Sequence, residues 1–404
     1  MYMESENLGD DIQSYAAMQF LPRVDYFIDR ESMDAFLPET PETVKTILNG
    51  WYLYDHLACP PSEYIHPLLT SIHFDTKERP YGGRDIEMNF VLEYAGADFL
   101  RRNGPVGARD FPTYEMLQRH SIDSYFSSCL TLTLTPFPNI DKTNEILLVD
   151  ACWDDRLEPL RESLGKATGL PVRILTHYTP RPMLVQMTHN DRMMFVETRL
   201  KMYQSAQCVV TTRLHCALPC LALGTPVILI KEESSINRIG TFYQYFDDAG
   251  INELTDTKWI NFIQDPPPQK SGWEKLASET RNRCIEFINE KATIPLPNWT
   301  SMEHRHIKRR KAARLIVREQ SNEIGYLKDE LEKVRHNLIS ADQTVSDADN
   351  RFVELSQSLL TVENKLTQTR LELTESQNHL YSMKNATFWK LTKPIRKILD
   401  FFRR

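Results

Sequence analysis

The stretch 208–230, CVVTTRLHCALPCLALGTPVILI, decides the fold. Cys208 to Thr211 is a short apolar run closing on hydroxyls, the pattern of a buried strand. Cys216 to Leu223 reads as a short buried helix, and Gly224 is a stop signal. Thr225 to Ile230 opens a second buried strand. Arg213 and His215 fall at the helix entrance, where unpaired N–H groups and the helix dipole favour anions. Arg213 adds a planar fork suited to phosphate or carboxylate. Two readings stand at this point. One is an acidic-ligand site with His215 as proton carrier. The other is a buried crossover whose arginine pairs with a carboxylate and whose histidine is a satisfied core residue. Pro219 kinks the helix or delays its start.

Outward from this unit, strands alternate with helices: a strand at 145–150, a helix at 157–168, a strand at 172–177 and a helix at 193–205. That alternation implies an α/β fold with a parallel sheet covered on both faces. The first part reads similarly, with strands at 26–29, 43–54, 68–74 and 128–134, and helices at 90–102 and 113–120. Asn7-Leu8-Gly9-Asp10 is a glycine turn with an aspartate cap, or a loop offering backbone N–H groups and a carboxylate to a ligand. Residues 104–110 form a second glycine-containing turn with an Arg109–Asp110 pair. A Pro- and Asn-rich stretch at 136–144 marks a boundary. The expectation is two Rossmann-like domains facing a cleft, 1–140 and 141–295, with Arg213 and His215 beyond the carboxyl end of a strand.

Beyond residue 295 the composition changes. Residues 304–318 carry seven Lys/Arg and no acid. Residues 296–323 read as a basic linker. From Ile324 to Met383 a heptad pattern runs through nine heptads without proline, fully apolar every seventh position from Ile324 but weakened by alanines, Thr369 and Ser376 in the series from Leu327. This predicts a long coiled-coil helix, a rod of roughly 90 Å, and oligomerisation through its seam. Residues 384–404 carry seven basic residues and one acid among Phe388, Trp389, Phe401 and Phe402, a composition suited to an anionic membrane surface.

The net charge of −7 leaves the head acidic, against a nucleic-acid binder. Seven scattered cysteines without a CxxC suit a reducing cytoplasm, and no metal cluster is visible. No signal peptide is visible, and no run approaches ~18 apolar residues, so no spanning helix is expected.

The head, about residues 5–260, resembles the polysaccharide pyruvyl transferase family. Asn7-Leu8-Gly9-Asp10 is similar to its N-terminal loop, and Gly107-Ala108-Arg109-Asp110 to its Arg-Asp/Glu segment. Val209 to His215, continuing through Ala222-Leu223-Gly224-Thr225-Pro226-Val227, is similar to its most specific signature. The resemblance implies a GT-B-like two-domain fold and transfer of pyruvate from phosphoenolpyruvate to a saccharide as a ketal, without a cofactor. It implies His215 as general acid/base and Arg213 as anion clamp. Arg109 is a second clamp and Arg238 a third; Asn7, Gly9 and Asp10 bind substrate, with Asp10 holding the acceptor sugar or orienting the loop, and the acceptor is a saccharide or lipid-linked glycan. Trp389 to Arg396 resembles the ends of some bacterial surface-glycan glycosyltransferases, placing the work at the inner face of a membrane. Competing readings are a glycosyltransferase using a nucleotide sugar in the same cleft, and a non-catalytic glycan-binding coiled-coil scaffold.

Overall fold

The computed structural model describes residues 5–51, 59–74, 79–81, 84–86, 92, 94–152, 155–231, 239–290, 301–342 and 348–402. In chain order, α1 (Leu8–Met18) precedes β1 (Val44–Trp51), β2 (Ile65–His73) and the small ribbon β3 (Arg79–Tyr81) and β4 (Arg84–Ile86). Next come α2 (Tyr94–Arg102), β5 (Val106–Ala108), α3 (Phe111–Arg119) and β6 (Ser124–Phe126). A second series follows: β7 (Ile146–Val149), α4 (Leu157–Thr168), β8 (Val172–Leu175), α5 (Arg181–Leu184), α6 (His189–Ser205), β9 (Cys208–Thr211), α7 (Leu214–Ala222) and β10 (Val227–Ile230). It closes with β11 (Asp247–Ala249), α8 (Thr257–Gln264) and α9 (Glu274–Asn289). Two long helices, α10 (Met302–Asp342) and α11 (Ala348–Phe402), end the chain.

Residues 1–33 and 42–297 form one compact unit that holds both parallel sheets. One sheet has the order β1-β2-β5-β6 and the other β11-β10-β9-β7-β8. Every pairing in both is parallel. The apolar runs of the second sheet are continuous because both faces are covered. Leu147, Val149, Val209 and Leu229 point into one buried cluster. Ile146, Leu148, Val210 and Ile228 point into another, against α4 and α8. Helix α1 packs with the first of these clusters: Leu8, Ile12 and Ala16 share it with Leu147 and Val149 of the second sheet and Ile47 of the first. Burial of Leu8 and Ile12 contributes about 1.5–3 kcal/mol each. Helix α9 also reaches across. Thr280 donates to Ser127 O at 2.8 Å, and Lys45 Nζ donates to the last carbonyls of α9, including Phe287 O at 2.5 Å.

Three local expectations change. The glycine turn expected at 104–110 contains the strand β5, and Gly107 is needed for close packing: a Cβ there would lie 2.8 Å from Tyr125 Oη. The strand expected at 128–134 is a turn of 3₁₀ helix at Leu130–Thr133 with all four residues buried. Thr133 Oγ1 donates to Leu130 O at 2.7 Å, a local bond that competes with a ladder. The segment expected as a strand at 26–29 forms none.

Residues 34–41 and 298–404 form the second unit. Helix α10 begins at Met302, inside the basic stretch 296–323. The expected single rod is instead two helices, α10 and α11, packed on one another. Ile324, Leu327 and Leu331 meet Leu359, Val362, Leu366 and Leu373, and Lys365 Nζ lies 3.5 Å from Glu323 Oε1. Of the heptad residues expected to face a second chain, Ile324, Leu327, Leu331 and Leu366 are buried by packing within this one. Two long helices joined by five residues and packed along their lengths run antiparallel. The side chains of 384–402 lie outside the described residues, although the α11 backbone is helical to Phe402.

Candidate functional site

The strand order of the second sheet sets the site. From β7 the chain moves outward one way to β8, and from β9 it moves the other way through β10 to β11. The switch point lies between β7 and β9, and a crevice opens at the carboxyl ends of such strands. Asp150 follows β7, and Thr212 and Arg213 follow β9. The Thr211 hydroxyl donates to Val149 O at 2.8 Å and the Thr212 hydroxyl to Asp150 O at 2.7 Å, so the two strand ends are tied together.

Arg213 is the N-cap residue of α7 and His215 lies in its first turn. Arg213 Nε donates to Asp150 Oδ2 at 2.8 Å; the Asp150 side chain is 3% exposed and that of Arg213 27%. The carboxylate therefore grips one edge of the guanidinium while part of the arginine reaches solvent. Asp150 Oδ2 also accepts the His177 N–H at 3.0 Å. Asp150 holds φ +45°, a left-handed conformation that short polar side chains tolerate best. His215 is half-buried. The arginine–carboxylate pair of the plainer reading exists, yet neither Arg213 nor His215 is sealed in the core.

The second wall comes from α1. Leu8 N–H donates to His177 O at 2.8 Å, Thr179 N–H donates to Glu6 O at 2.7 Å, and Asn7 pairs with Tyr178. Asn7 caps α1, its Oδ1 accepting the Gly9 N–H at 3.1 Å. A Cβ at Gly9 would stand 3.1 Å from His215 Nδ1, so the first turns of α1 and α7 meet at His215. The N-terminal ends of both helices thus lie beside the Arg213–Asp150 pair. Asp10 is held by Ser5 Oγ at 2.7 Å and Gln13 Nε2 at 3.3 Å, with Arg30 Nη1 at 3.8 Å. Its neighbour Asp11 pairs with the buried Arg192 at 2.7 Å.

Asn7, Gly9, Asp10, Arg213 and His215 thus gather around one place. Arg109 belongs to the other sheet, at the end of β5. It is 1% exposed and its Nε lies 3.3 Å from Asp110 Oδ2. Asp110 also accepts the Thr113 N–H at 3.1 Å and meets His73 Nδ1 at 2.6 Å. Burial pushes the Asp110 carboxyl up, but the His73 bond and charge and the Arg109 charge outweigh it and hold it below the usual carboxylate range. Arg238 lies outside the described residues.

Sequence reasoning passed over Asp150 and His177. An acid directly after the apolar run 146–149 was a usable signal for Asp150. His177 gave none, because its role is carried by its backbone N–H and C=O. Behind the site its ring meets Tyr203 Oη at 2.7 Å. Burial pushes the Cys216 thiol up, yet hydrogen bonds with Cys220 and His177 bring it below its ordinary value. No group of metal-ligating side chains occurs among the described residues.

A family model described as polysaccharide pyruvyl transferase matches residues 7–234, more than half of the chain. The match runs from the capping Asn7 of α1 past the end of β10 and includes Asp150, Arg213 and His215. No curated protein and no solved structure matches the chain.

Proposed function

Because the chain belongs to the polysaccharide pyruvyl transferase family, we propose that it transfers the pyruvyl group of phosphoenolpyruvate to two hydroxyls of a saccharide, forming a ketal. The GT-B-like pairing of the two sheets is part of this reading. One observation carries it: Arg213 and His215, both partly accessible, stand at the switch point of a parallel sheet, where His215 meets Gly9 of the α1 loop. Phosphoenolpyruvate bears a carboxylate and a phosphate, which suit a guanidinium flanked by two helix N-termini. Arg213, steadied by Asp150, holds the donor by one anionic group.

His215 is the proton carrier. As imidazolium it gives a proton to the methylene carbon of the enol, leaving a cationic centre at the adjacent carbon. The first sugar hydroxyl adds there and its proton returns to the imidazole. The carbon–phosphate bond then breaks, with phosphate taking the electron pair. The second hydroxyl adds to the renewed cationic centre, and its proton leaves with the phosphate. The sum is a ketal and inorganic phosphate. Asp10, next to Gly9, faces the acceptor, and Arg238 is a further candidate for the donor's second anionic group, whereas Arg109, sealed against Asp110, serves the first sheet.

The test is ligand-dependent thermal stabilisation followed by turnover. Phosphoenolpyruvate raises the melting temperature and nucleotide sugars do not. His215→Ala lowers phosphate release by about 10²–10⁴-fold while stabilisation by phosphoenolpyruvate persists. Stabilisation by nucleotide sugars alone, or full turnover by His215→Ala, overturns the proposal.

A further inference from the structure

The second unit carries a surface that the proposed reaction does not use. Along α10, Arg305, Lys308, Arg309 and Lys311 are exposed and make no ion pair among the described residues. The arginines on the inner side of the same helix are neutralised. Arg310 meets Glu303 at 2.6 Å, and Arg314 meets Asp34 at 2.9 Å. At 100° per residue, Arg305, Lys308, Arg309, Leu315 and Ile316 share one arc of about 120°. Leu315 and Ile316 are each 52% exposed. The stripe is therefore cationic and aliphatic together.

The hairpin adds a second basic stretch. The Glu323–Lys365 contact sets the register of the antiparallel pair. Counting from it, Arg309 lies level with about residue 379, and α11 runs on for about 25 Å past the start of α10. That projecting end is the stretch 384–402, where the sequence is basic and aromatic. The acid-rich segment 319–383, with twelve acids and six bases, spans the rest of the sequence between the two basic stretches.

We propose that the α10 stripe forms a docking surface for an anionic lipid bilayer. Charge complementarity selects an anionic partner. The half-exposed Leu315 and Ile316 within the stripe favour a bilayer over a soluble polyanion, which needs cations but not aliphatic side chains. No described helix is long and apolar enough to cross a membrane, so the contact lies along the surface. The proposal stands independently of the reaction in the first unit.

The full-length protein is sedimented with vesicles of phosphatidylcholine alone or containing phosphatidylglycerol. Binding is expected only to the anionic vesicles. Lys308→Glu with Arg309→Glu should weaken it by about tenfold or more. Leu315→Ser with Ile316→Ser should weaken it as well, at unchanged helix content by circular dichroism. Should the charge reversal lower helix content, Lys308→Gln with Arg309→Gln replaces it. Equal binding to both kinds of vesicle, or undiminished binding by either pair of variants, overturns the proposal. It is also overturned if the Leu315/Ile316 pair changes only the oligomeric state, or if the protein ignores vesicles and binds an acidic polysaccharide instead.

Discussion

Gly9 stands where a side chain would press on His215. A methyl at that position would lie 3.1 Å from His215 Nδ1 and 3.2 Å from Asn7 Oδ1, closer than ordinary packing allows. The backbone there is helical, so alanine brings no torsional strain. Gly9→Ala is expected to shift the imidazole by a few tenths of an ångström and lower turnover by about 10-fold or more, since small misplacements of reacting groups are costly. Its urea midpoint should stay near that of the parent. A large loss of stability with unchanged turnover would contradict this account. Asp150 presents the opposite case, in which stability is at stake. Asp150→Ala removes the acceptor for both Arg213 Nε and the His177 N–H and puts alanine at φ +45°. Leaving the buried His177 N–H unpaired costs about 1–3 kcal/mol, read by urea unfolding. Asp150→Asn should recover part of it, because asparagine accepts a hydrogen bond and tolerates left-handed backbone.

At the scale of elements, α1 is held between β1 and the second sheet, and Gly50 makes the first of these contacts. Its φ is +101°, and a Cβ there would fall 2.5 Å from Gln13 Oε1. Gln13 in turn donates to Gly9 O at 3.3 Å and accepts the Asn49 side chain at its carbonyl at 3.1 Å. Gly50→Ala is therefore expected to destabilise the protein by about 1–3 kcal/mol, combining backbone strain with displacement of Gln13. Amide exchange in α1 should speed up with it. The elements around the signature stretch were legible from periodicity: 208–211, 157–168 and 146–149 are continuous apolar or 3.6-period patterns with clear stops. Helix α7 starts at Leu214 despite Pro219, which lies inside it. Residues 106–108 and 130–133 were misread, because glycine and threonine there serve packing and local hydrogen bonds that have no one-dimensional signature.

For the whole molecule, acid should act through the buried Asp110. Its carboxyl is held below the unfolded value in the folded chain, so the ionised form stabilises the fold. That contribution is fully present above the unfolded carboxylate pKa of about 4 and is lost as pH falls through the lower folded value. Urea midpoints of the parent protein should drop on going from pH 5 to pH 3, and Asp110→Asn should show a lower midpoint at pH 5 with a shallower acid decline. A parallel decline in both proteins would assign the acid sensitivity to other groups.

The sequence by itself determined the parallel α/β character of residues 145–230, the placing of Arg213 and His215 at a helix entrance, and the apolar seam of the carboxyl-terminal helices. Each is a local or periodic property, written in neighbouring side chains. Only the tertiary structure decided that Asp150 grips Arg213, that α1 brings Gly9 against His215, and that the seam closes on itself within one chain. These depend on contacts between residues 42 to more than 200 positions apart, such as 323 with 365, 150 with 213 and 9 with 215. Pairings at that distance are selected by the joint burial of many side chains, and no window of sequence contains them.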